Sequence, residues 1–157
     1  MWRRIRYVLV LIALCSIATC PSAHRSCRAK LRAREAAQLL ETLEAELARL
    51  VAAGVPLPQV AAGPTPPPST CCEQGGQCAV DATRWTVEPW RTLRFSMDKP
   101  HRYSVEYAPI PGGALVRVSG DVDCDGVIGS LTVRALVTGT GSAKTLKLER
   151  SESQPLE

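Results

Sequence analysis

Two adjacent cysteines, Cys71 and Cys72, restrict the folding of this chain more than any other feature. Neighbouring residues are poor disulfide partners for each other, so each must reach a different sulfur elsewhere. Cys78 and Cys124 are the other cysteines beyond residue 70. Four cysteines in a small β-rich segment fit two disulfides in an oxidising compartment. The expected arrangement sends one member of the pair to Cys78 and the other to Cys124, with the choice open. Closing the long loop to Cys124 contributes roughly 3–4 kcal/mol in the loop-entropy model. Zinc is the competing use of such a cluster. It wants spaced pairs of ligands, and the two histidines, His24 and His101, lie outside the cysteine cluster in sequence.

A brace of this kind suits a small head. The chain has 157 residues, and it divides by composition into 1–53, an apolar anchor and long helix; 54–70, a proline-rich linker; 71–150, a cysteine-braced β head; and 151–157, a tail. A domain of about 80 residues buries a modest core and often needs cross-links. Aromatic residues make up only 4% of the chain. Most lie between Trp85 and Tyr107, which places the head core around Trp85, Trp90, Leu93 and Phe95.

The first third reads as membrane anchor followed by amphipathic helix. Arg3, Arg4 and Arg6 precede an apolar stretch from Tyr7 to Cys20, and Arg25, Arg28, Lys30, Arg32 and Arg34 follow it. The net charge of +4 is thus concentrated at membrane-flanking positions. With no interleaved aromatics and no nucleic-acid motif, a nucleic-acid partner is not expected. The apolar stretch is short for a free-standing span of about 20 residues. It reads as a cleaved signal, as a lipoprotein signal with Cys20 as the lipidated residue of Ile17-Ala18-Thr19-Cys20, or as an uncleaved anchor continuing into the helix behind it.

From Arg28 to Ala53 no glycine or proline interrupts the chain. Ala33, Ala36, Leu40, Leu43, Leu47 and Leu50 form one stripe at helical spacing, with Glu35, Glu41, Glu44, Glu46 and Arg49 off it. Such a helix extends about 40 Å. It stops at Gly54, before Pro56 and Pro58. Its stripe covers a sheet, packs against neighbouring copies, or does both. The stretch from Pro56 to Thr70 is expected to stay extended and solvated. Strands follow by alternation at Tyr103–Tyr107, Ala114–Ser119, Ser130–Val137 and Lys144–Leu148, with turns at Pro111-Gly112-Gly113 and Gly139-Thr140-Gly141-Ser142. The fold class expected is α+β: a long N-terminal helix, part membrane anchor and part amphipathic extension, carrying a small antiparallel β-sheet head.

This order of parts resembles type IV pilins and pseudopilins. Pro21 followed by Cys27-Arg28-Ala29-Lys30 is similar to the region after the helix proline of pilins. Cys71-Cys72-Glu73-Gln74-Gly75-Gly76-Gln77-Cys78, Trp90-Arg91-Thr92-Leu93-Arg94-Phe95-Ser96, Tyr103-Ser104-Val105-Glu106-Tyr107 and Gly120-Asp121-Val122-Asp123-Cys124-Asp125-Gly126 resemble the head of delta-proteobacterial pilin-like proteins. Cys124 stands where glycine is usual. Aligning Pro21 with the helix proline would put a leader before Met1. Arg4 then falls near the position of the family's glutamate, and the glycine–phenylalanine peptidase site is missing. The resemblance implies a pilin-like fold and a structural subunit of a type IV pilus or type II secretion filament, a minor pilin or pseudopilin. Its partners would be the membrane and other pilin-like subunits, bound through the N-terminal helix. Its place would be the inner membrane with the head in the periplasm, or an extracellular filament. The alternative is a membrane- or lipid-anchored extracytoplasmic binding module with a similar head.

Asp121, Asp123, Asp125 and Gly126 have the spacing of a calcium loop. Its twelfth position is Thr132, which cannot supply the bidentate carboxylate, so weak calcium binding or a polar turn is expected. No cofactor is required. His24 and His101 stand apart from any nucleophile motif, Ser119 and Ser130 sit in no catalytic spacing, and Glu88 and Glu106 make no evident pair. Neither an enzyme nor a small-molecule substrate is expected.

Overall fold

The computed structural model describes residues 33–154. Helix α1 spans 33–52, a length of about 30 Å at 1.5 Å per residue. It ends in a Schellman motif: Gly54, at φ 69°, donates to Val51 O at 3.1 Å, and Val55 N to Leu50 O at 2.9 Å. Glycine takes this left-handed position without a Cβ clash, and Pro56 then prevents continuation.

Five strands follow as one antiparallel meander in the order β1-β2-β3-β4-β5. They are β1 (Ala62–Thr65), β2 (Ser104–Ile110), β3 (Gly113–Gly120), β4 (Gly129–Thr138) and β5 (Thr145–Ser153). A one-turn helix α2 (Thr70–Glu73) lies between β1 and β2. Alternation sets the two faces of the sheet. Val105 pairs with Val118, which pairs with Leu131; Tyr107 pairs with Val116, Val116 with Val133, and Val133 with Arg150. These rows face α1, whose Ala36, Leu40, Leu43, Leu47 and Leu50 are all buried. Trp85, Trp90 and Phe95 close the same core edge to face, with Trp85 5.3 Å from both other rings. Such edge contacts add to area burial because ring edges are electropositive and faces electronegative.

This architecture corrects the expected fold class. The described chain is mostly sheet, with one helix of more than a turn, and that helix is a layer of the core rather than a shaft carrying a head. The sequence leaves the start of the helix open toward the apolar segment, but the described helix spans only 33–52. Ala36, Leu40, Leu43, Leu47 and Leu50 of its stripe are buried inside the molecule, and Ala33 is partly buried. Among the described residues no helix is long and apolar enough to cross a membrane. The apolar segment itself, with Cys15, Cys20, Cys27 and His24, lies outside the described residues.

Two further differences have clear physical reasons. The expected solvated linker contains β1, with Ala62 opposite Tyr107 and Thr65 opposite Val105 across a register shift. Gly63 sits in that shift at φ 94°, where a Cβ would collide with Val105 O. A glycine and prolines fit an edge strand, where one side of the ladder goes unpaired. The tail expected from residue 151 is part of β5, which runs to Ser153.

Glu44 departs from the simple stripe. It lies off the apolar repeat yet is 7% exposed, because Arg150 emerges from β5 on the helix side. Arg150 Nε donates to Glu44 Oε1 at 2.7 Å, and its Nη2 donates to Glu44 Oε2. The forked pair ties the far strand to α1 across 106 residues of sequence. Arg150→Ala, which leaves a buried carboxylate unpaired, is expected to destabilise by about 1–2 kcal/mol, limited by the solvent-facing side of the arginine. Glu44→Leu, which removes the buried charge, is expected to cost less. Urea denaturation of the two variants checks the order.

Candidate functional site

The chemically distinctive residues gather at one corner of the sheet, where β2 begins and β3 ends. Helix α2 carries both adjacent cysteines there. The structure pairs Cys71 with Cys78 at a Cα separation of 4.5 Å, and Cys72 with Cys124 at 5.5 Å. Successive residues on a turn of helix point in different directions, which lets neighbouring sulfurs serve different partners. The first bond closes a tight turn in which Gly76 N donates to Cys71 O at 2.8 Å. The second spans 52 residues and fastens the aspartate loop to α2, contributing about 4 kcal/mol in the loop-entropy model.

Asp121, Asp123 and Asp125 lie in the β3–β4 connection, with carboxylate oxygens within 4.8 Å of one another. Asp121 is 9% exposed, and both its oxygens are engaged: Oδ1 accepts from Asp125 N at 3.1 Å and Oδ2 from Gly126 N at 2.9 Å. Asp125 Oδ1 accepts from Val127 N at 2.8 Å. These bonds shape the loop by themselves. Thr132, the twelfth position, stands inside β4, where its Oγ1 accepts from Arg117 Nε at 3.4 Å. The trio can face a hard cation, and Thr132 brings no carboxylate to the loop's twelfth position.

His101 is the residue that sequence reasoning missed. It is 23 positions from Cys78, yet the two form an isolated antiparallel bridge. Cys78 N donates to His101 O at 2.7 Å, and His101 N to Cys78 O at 3.2 Å. The imidazole packs beside the Cys71–Cys78 bond, with a ring nitrogen and both sulfurs mutually within 4.8 Å. Its Nδ1 lies 2.9 Å from Tyr103 O. A carbonyl can only accept, so Nδ1 carries the proton. Burial, foremost, and the positive charge of Arg84 push His101 below its ordinary value of 6.5, against the Tyr103 carbonyl. The signal available in the sequence was weak: a pairing across an irregular segment has no alternation to reveal it.

From this corner outward, the sheet face opposite α1 carries polar rows. One row runs Ser104, Ser119, Ser130, Ser153, and the next runs Glu106, Arg117, Thr132, Ser151. Arg117 Nη1 pairs with Glu106 Oε2 at 3.2 Å. Pro64, Pro68 and Ile128 frame this face as a shallow concavity of about 590 Å³. Ser119, which is buried, and Ser130, which is half-buried, belong to one cross-strand row of the ladder. Glu88 is half-buried and paired with Arg91 at 2.9 Å, far in role from Glu106. The Tyr107 hydroxyl, pushed up to about 12 by burial, donates to Pro58 O at 2.8 Å and serves structure.

No protein family, curated protein or solved structure matches this chain.

Two outcomes follow from this corner. A folded-state pKa below the unfolded one means that the unfolded chain takes up the proton first as pH falls. The stability associated with neutral His101 is therefore complete above about 6.5 and is lost as pH drops through the folded-state value. Melting of oxidised wild type is expected to fall more steeply from about pH 7 to about pH 5 than melting of His101→Gln. For the aspartate loop, Asp121→Ala is expected to cost about 1–2 kcal/mol even in chelator, because two amides lose their acceptor. Millimolar calcium is expected to raise the wild-type melting temperature by no more than about 3 °C. A larger shift, read by calorimetry, would make the trio a strong metal site.

Proposed function

We propose that this chain is an exported, membrane-tethered, non-catalytic module, its head formed by residues 33–154 and its tether by the apolar stretch from Tyr7 to Cys20. The observation that carries this reading is the closure of the head upon itself. Two disulfides brace one corner, and the stripe of α1 is consumed against the sheet, so the head needs no neighbour to bury its core. Paired cysteines of this kind persist outside the reducing cytoplasm. Among the described residues the perturbed carboxyls of Asp81, Glu88 and Glu149 are each held by a neighbouring cation, and His101 is buried against a disulfide. Carboxylates spent in local ion pairs favour a binding or structural role over catalysis. The polar face of the sheet is the surface such a head would offer to a partner.

The filament-subunit role implied by the resemblance requires a seam between copies. With the stripe of α1 buried, that seam would have to come from residues before 33, and the tethered module is the more economical reading. Mass spectrometry of the mature chain, with thiol labelling before reduction, tests it. Recovery in the membrane fraction is expected, with Cys71, Cys72, Cys78 and Cys124 unlabelled, and either an intact anchor or an acylated Cys20. A soluble chain with those four thiols labelled would sink the proposal, and recovery in sheared surface filaments would restore the structural-subunit reading.

A further inference from the structure

The Cys71–Cys78 bond and His101 together have the ligand set of a metal centre. Cys71, Cys78 and His101 are 1%, 3% and 6% exposed, and their two sulfurs and one imidazole nitrogen lie mutually within 4.8 Å. Zinc–sulfur bonds of about 2.3 Å and zinc–nitrogen bonds of about 2.0 Å require ligand atoms roughly 3–4 Å apart. Cleavage of their bond frees the two sulfurs to separate by rotation of the cysteine side chains.

The backbone at all three positions is held by hydrogen bonds that reduction leaves intact. Cys78 and His101 are clamped by their mutual bridge. Cys71 is held by Gln74 N and Gly76 N, which both donate to its carbonyl, at 3.2 and 2.8 Å. The imidazole is oriented as metal-bound imidazoles are: Nδ1–H faces the Tyr103 carbonyl, which leaves Nε2 as the nitrogen with a free lone pair. An adjoining cavity of about 200 Å³, lined by Gln74, Asp81, Arg84 and Trp85 among others, has room for water as a fourth ligand.

We propose that reduction of the Cys71–Cys78 bond converts this corner into a site for one thiophilic divalent cation, held by Cys71 Sγ, Cys78 Sγ and His101 Nε2. A dithiol reductant supplies two electrons and two protons, breaks the sulfur–sulfur bond and leaves as its own disulfide. The cation then displaces the two thiol protons to solvent. Two thiolates and a divalent ion sum to zero charge, which suits three buried ligands. One corner thus has two alternative clasps, a disulfide under oxidising conditions and a metal under reducing ones. This goes beyond the tethered-module reading, and its test does not depend on where the chain resides.

The test uses the full chain in detergent, with Cys15, Cys20 and Cys27 replaced by serine, titrated with cobalt(II) and then zinc(II). The phosphine-reduced chain is expected to bind one cobalt per chain, with tetrahedral visible bands, sulfur-to-cobalt charge transfer and release of about two protons per ion. The oxidised chain is expected to show no charge transfer. Binding should persist in Cys72→Ser/Cys124→Ser and weaken at least tenfold in His101→Gln. The proposal is overturned if the reduced chain gives no charge-transfer band, or if His101→Gln binds as tightly. Loss of binding in a folded Cys72→Ser/Cys124→Ser chain overturns it as well. Should reduction unfold the chain, far-ultraviolet circular dichroism decides: zinc restoring the oxidised spectrum supports the clasp, and zinc bound to a chain that stays unfolded overturns it.

Discussion

Helix α1 and the inner face of the sheet each carry an apolar surface that the other covers. Ala36, Leu40, Leu43, Leu47 and Leu50 meet rows built on Val105, Tyr107, Val116, Val118 and Val133. Hydrophobic burial of this kind is the main favourable term in folding. Here it also decides the orientation of everything else. With α1 on one face, the serine and threonine rows lie on the other, where Ser104 and Ser119 are buried near the cysteine corner. Arg150 must leave β5 beneath the helix, where Glu44 waits for it.

The cysteine-rich corner solves a different problem. The connection from Thr70 to Arg102 has little regular structure, and irregular segments have few backbone bonds to hold them. Two sulfur bridges, the Cys78–His101 bridge and the aromatic cluster of Trp85, Trp90 and Phe95 replace that missing ladder. The same economy makes the corner chemically interesting. Residues gathered to brace a loop are also residues able to ligate, and the imidazole that fills the space beside a disulfide is oriented as a metal ligand is.

A head whose core is complete in itself can be carried by an anchor of any kind. This is why the buried stripe of α1 matters more for function than its length does. A helix with an unspent apolar face asks for company, whereas one spent on its own sheet leaves partner choice to the polar face and to residues beyond the helix.

Local order along the chain was legible where side chains follow a period. The stripe from Ala33 to Leu50 marked a helix and Gly54 its end, and alternation marked β2 to β5 to within a few residues, because neighbouring side chains on one element report its geometry directly. The adjacent Cys71 and Cys72 required separate partners, but composition could not say which sulfur each would reach. That choice belongs to the tertiary structure, as do the burial of α1 within the sheet layer, the pairing of Glu44 with Arg150, the edge strand Ala62–Thr65 inside a proline-rich stretch, and the approach of His101 to Cys78. Each joins segments far apart in sequence, and such contacts are set by how layers pack and how loops close, which no local pattern encodes.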